Sequence, residues 1–76
     1  MSISREGAFK QGREDGLAYG LAGKTKRPEP DPVLAALDPE YENHYRQGAA
    51  LGFALGQERR ELVRLKAEQQ IEDLEK

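Results

Sequence analysis

Between residues 5 and 22 the small and apolar positions Phe9, Gly12, Gly16 and Gly20 return every three or four residues, a spacing that lines one face of an α-helix. From residue 39 onward no proline occurs, and after Gly56 no glycine occurs either. The last twenty residues are almost wholly Glu, Arg, Leu, Lys, Gln and Ala, all strong helix formers. The pattern predicts a first helix over residues 5–22, a connector over 23–38 and a long helix over 39–74. Ser2 or Ser4 is placed to cap the first helix and Gly23 to end it in the left-handed conformation. Within the connector, Pro28-Glu29-Pro30-Asp31-Pro32 allows neither helix nor central strand and reads as a stiff, extended spacer. Asp31-Pro32 then gives an N-cap with proline at the first helical position, opening a short turn over residues 32–37; Asp38-Pro39-Glu40 repeats that signal.

The apolar pattern is also a repeat. Phe9-Lys10-Gln11-Gly12-x-x-x-Gly16-Leu17-Ala18-x-Gly20 returns as Tyr45-Arg46-Gln47-Gly48-x-x-x-Gly52-Phe53-Ala54-x-Gly56, at a constant offset of 36 residues. Each glycine inside a helix costs about 0.5–1 kcal/mol relative to alanine, so close packing must offset the ladders. A face without side chains serves either an outside partner or another backbone. The second ladder favours the latter: Gly12, Gly16 and Gly20 packed on Gly48, Gly52 and Gly56 in an antiparallel helical hairpin, with Phe9 and Tyr45 sealing the seam.

A first helix of that length covers only half of the long one. The uncovered half carries Leu55, Leu62, Leu65 and Gln69 at heptad-like spacing, with Ile71 and Leu74 displaced to another face. This extension is expected to associate with a second copy or with another protein, Leu55, Arg59, Arg60, Leu62, Arg64 and Leu65 forming the contact face.

Composition sharpens this picture. At 76 residues with 37% hydrophobic content, one small domain spans the chain, and a core this thin favours oligomerisation. There is no cysteine, hence neither disulfide nor thiolate metal site. Charge nearly cancels at −2: residues 1–30 carry six basic and four acidic groups, residues 31–56 one and four, residues 57–76 five and six. Basic side chains concentrate only at Lys24, Lys26 and Arg27, a weak footprint for nucleic acid. No apolar run approaches the ~20 residues of a membrane span and no signal-peptide core is present, so a soluble, cytoplasmic protein is expected.

Candidate chemistry is sparse. The only histidine, His44, has Glu40 one turn before it, too few ligands for a metal. The two serines lie in the first four residues, and the glycine spacing matches neither a dinucleotide fingerprint nor a phosphate loop. No enzyme activity, cofactor or metal is expected. The expected role is a small interaction protein that modulates or inhibits another macromolecule, of the kind phages and accessory elements encode.

The stretch Gly16-Leu17-Ala18-Tyr19-Gly20-Leu21-Ala22-Gly23-Lys24-Thr25-Lys26 resembles the ribosome modulation factor family. Gly16, Gly20 and Gly23 match its three glycines, Lys24 and Lys26 its basic run, Pro28 or Pro30 its connector, and Tyr45 and Gly48 its tryptophan–x–x–glycine. Leu17, Tyr19 and Ala49 depart from its pattern. The resemblance implies two helices joined by a proline-containing connector. It also implies an alternative role in binding ribosomal RNA, with Lys24, Lys26 and Arg27 as contacts.

Overall fold

The computed structural model describes residues 5–75, with side chains to Ile71. Three helices follow one another: α1 (Arg5–Leu21), α2 (Pro32–Leu37) and α3 (Pro39–Glu75), with no strand among the described residues. Ser2 and Ser4, the expected caps of α1, lie outside the described residues.

The helix ends are built by local chemistry. Past Leu21, the amide of Gly23 donates to the Gly20 carbonyl and that of Lys24 to the Tyr19 carbonyl, both at 3.1 Å. This Schellman closure requires a left-handed residue, and Gly23 has φ 74°. Asp31 caps α2: its carboxylate accepts from the Val33 amide at 2.9 Å and from the Leu34 amide at 3.4 Å. Asp38 caps α3 through a 3.0 Å bond from the Glu40 amide.

α1 packs along the first half of α3, and the two helices run parallel. Going up α1, Arg5 pairs with Glu40 at 3.5 Å, Asp15 accepts from the Tyr45 hydroxyl at 2.6 Å, and the Leu21 carbonyl accepts from Arg60 at 3.5 Å. Both residue numbers rise together, which corrects the antiparallel direction expected from the sequence. The connector explains it. A polyproline-like chain advances about 3.1 Å per residue, so some ten residues return the ~25 Å length of α1. By Glu29 the chain is back beside Arg46, at 3.7 Å. The proline stretch is a return strut where a hairpin would need only a short turn.

A methyl group built at Gly20 would lie 2.5 Å from the Phe53 carbonyl oxygen, and one at Gly56 2.5 Å from that of Leu17. Closer still, Gly12 and Gly16 face the carbonyls of Tyr45 and Ala49, and Gly48 and Gly52 those of Phe9 and Arg13. Each carbonyl belongs to the residue three positions before a glycine of its own helix. The two 36-residue copies therefore exchange about a pseudo-twofold axis along the pair, with Cα hydrogens aimed at facing carbonyls.

The core lies to one side of this pair. Ala8, Tyr41, Tyr45 and Ala49 are buried, with Leu34 and Ala35 of α2 packed on them and Phe53 beyond. Pro28 and Pro30 are buried as well, so the return strut belongs to the core. The tyrosine rings stand 5.8 Å apart, and the Asp31 amide donates to the Tyr41 hydroxyl at 3.4 Å.

Candidate interaction surface

The pseudo-twofold axis gives the helix pair two sides, and the connector covers only one. The positions equivalent to Tyr41, Tyr45, Ala49 and Ala8 are Arg5, Phe9, Arg13 and His44. Those four line an open concavity together with Glu6 and Lys10. Where one side holds a covered tyrosine pair, the other therefore holds one half-buried aromatic ring among cations. The groove continues up the helices between Arg13, Glu14, Leu17, Leu55 and Arg59. Arg5 is tied to Glu40, whereas Lys10, Arg13 and Arg59 make no ion pair among the described residues.

Beyond Gly56, α3 leaves α1 behind, and every residue from Gln57 to Ile71 is exposed. Leu51, Leu55, Leu62 and Leu65 are 45%, 37%, 53% and 48% exposed. At about 100° per residue these four share one stripe, which runs from the groove onto the extension. Glu58 interrupts it. Of the three arginines expected on this face, Arg60 turns back to the end of α1, where its guanidinium lies against Gly23 and the Leu21 carbonyl. There it supplies the cation that the last turn of α1 lacks. Arg64 is held by Glu61 and, at 3.3 Å, by Glu68. The hydrogen bond to Arg64 lowers the Glu61 pKa and raises that of the arginine. Of these three arginines of α3, Arg59 alone lines the groove.

Lys24, Lys26 and Arg27 gather around a second, shallow concavity with Tyr19, Gly23 and Thr25. The Lys24 ammonium sits 5.2 Å from the centre of the Tyr19 ring, a cation–π contact. Phe9 and Tyr45, alike in sequence, have opposite fates: Phe9 stays half exposed, while Tyr45 is buried with its hydroxyl on Asp15. Burial first, and then the hydrogen bond and negative charge of Asp15, push the Tyr45 pKa well above its ordinary value.

Sequence periodicity does not single out the concavity around Phe9. Its signal lies in the repeat, where aromatic or small residues of one copy become Arg5, Arg13 and His44 of the other. Among the described residues no cluster of acidic and histidine side chains is arranged to hold a metal, and no helix is long and apolar enough to cross a membrane. These features define an all-α protein with a parallel helix pair and a long projecting helix. Comparison with protein-family models, curated proteins and solved structures finds no match.

Proposed function

We propose that the chain is a non-enzymatic interaction protein that binds another macromolecule and modulates or inhibits it, the role of small phage or accessory-element proteins. The observation carrying this reading is the leucine stripe Leu55, Leu62 and Leu65, exposed on a helix that outruns its own partner helix. An apolar stripe in water that no described residue covers is a docking face. Two further proposals accompany it. The glycine ladders serve as the internal seam of the fold, not as the binding site, because the space before each glycine is occupied by facing backbone. The extension also pairs the chain into a dimer.

The test is affinity capture from a lysate with the full chain and with a Leu62→Glu/Leu65→Glu variant. Both positions are exposed, so helix content should be unchanged. The expected outcome is a partner retained by the first and lost by the second. Equal capture by both would remove the stripe from the function.

A second reading is favoured by the convergence of Lys24, Lys26 and Arg27 on Tyr19. With the likeness to ribosome modulation factors, it makes the connector an RNA contact, combining phosphate neutralisation with base stacking. Co-sedimentation with ribosomes that weakens steeply with salt is the expected result. Absence of co-sedimentation at low salt would rule it out.

A further inference from the structure

The uncovered groove and the projecting extension match each other in length, charge and apolar pattern. The extension, from Gln57 to the end of α3, is about 28 Å long at 1.5 Å per residue, and the groove beside α1 about 25 Å. Groove and extension share one apolar course broken only at Glu58: Phe9, Leu17 and Leu55 line the groove, and exposed Leu51, Leu62 and Leu65 share the stripe with Leu55. Cations rim the groove at Lys10, Arg13 and Arg59, against Glu6 and Glu14. From Ala67 to Lys76 the sequence carries Glu68, Glu72, Asp73 and Glu75 against a single basic residue, Lys76.

We infer that the groove of each copy receives the C-terminal half of α3 of a second copy, docked antiparallel about a twofold axis near the middle of the stripe. The inference rests on the reading of the extension as a docking face and names its occupant. Direction follows from charge. A parallel pair would set acidic end against acidic end, leaving both grooves open. The antiparallel pair lays each acidic end along the other copy's cations. Closed twofold association is the commonest way for a short chain to enlarge a thin core. Here each copy supplies what covers the other's Phe9.

The chain has no cysteine, so introduced thiols report position unambiguously. Leu51→Cys and Leu65→Cys are made separately in the full chain, mixed, and joined with a short bismaleimide. Mixed 51–65 dimers are expected, with neither variant joined to itself. Self-joining of Leu51→Cys would show a parallel pair and overturn the inference. Sedimentation equilibrium should show a dimer that Lys10→Glu/Arg13→Glu weakens about tenfold or more at unchanged helix content, since two attractive contacts in each groove become repulsive. A dimer indifferent to that double change would also overturn it. A chain monomeric throughout, whose capture of another protein still depends on Leu62 and Leu65, would refute the inference while leaving the docking-face reading intact. A monomer whose capture ignores the stripe would refute both.

Discussion

One methyl group is enough to disturb the helix pair at Gly16. It would strike the Ala49 carbonyl and the Phe53 amide, backbone atoms that move only if the helices separate. Alanine gains about 1 kcal/mol of helix propensity, but overpacking of this kind costs up to ~3, so Gly16→Ala should destabilise by about 2 kcal/mol in urea unfolding. The reverse change at exposed Ala18, to glycine, should cost about 1 kcal/mol from propensity alone. Tyr45 tests electrostatics. Its raised pKa means that the folded state holds the phenol proton more tightly than the unfolded chain, whose tyrosines titrate near 10.0. That contribution is complete below pH ~10 and is lost as pH rises further. Tyr45→Phe should therefore lose about 1 kcal/mol at neutral pH, where the bond to Asp15 is missing, and show a shallower alkaline decline than the parent. A pH series of thermal melts compares the two directly.

Among the elements, the two turns are the points of leverage. Gly23→Ala forces an alanine to φ 74° and should cost about 1–2 kcal/mol. The Arg60 side chain it would also meet is flexible and yields more easily than backbone. Asp31→Ala removes a cap that serves two amides and should cost about 1 kcal/mol by the same denaturation assay. Such local devices are what a sequence displays best. Asp31-Pro32, Asp38-Pro39 and Gly23 state their roles within three or four residues, and the all-helical class follows from them and from the glycine-free run after Gly56. The direction of α1 against α3 is a different kind of information. It depends on how far the connector reaches, and the length of Pro28-Glu29-Pro30-Asp31-Pro32 was the available clue.

At the scale of the molecule the candidate interaction surface was legible only in its distal half. Leu55, Leu62 and Leu65 stand out by their heptad-like spacing alone. Arg60 and Arg64 do not fit the expected face, since each is engaged by a neighbour that spacing alone leaves unspecified: the end of α1 for one, Glu61 and Glu68 for the other. Phe9, Arg13 and His44 became a candidate site only when the connector chose one side of the helix pair to cover. The described molecule measures 59 × 20 × 14 Å, an elongated body whose far end has no internal support. Loss of the Leu62 and Leu65 side chains should therefore change association far more than stability. In thermal melts of dilute protein, Leu62→Glu/Leu65→Glu should stay within about 0.5 kcal/mol of the parent, as surface changes usually do.

The return strut also governs how the chain reaches this structure. Contacts between α1 and α3 join residues 30 to 39 positions apart, as in the Asp15–Tyr45 and Leu21–Arg60 bonds. In a hairpin the first contacts would close over a few residues beside the turn, and the rest would zip up behind them. Here even the nearest contact must close a large loop, so its entropy falls due before any seam contact forms. The protein should fold more slowly than its helical content suggests, and stopped-flow refolding would place its rate nearer to mixed α/β domains than to helical bundles.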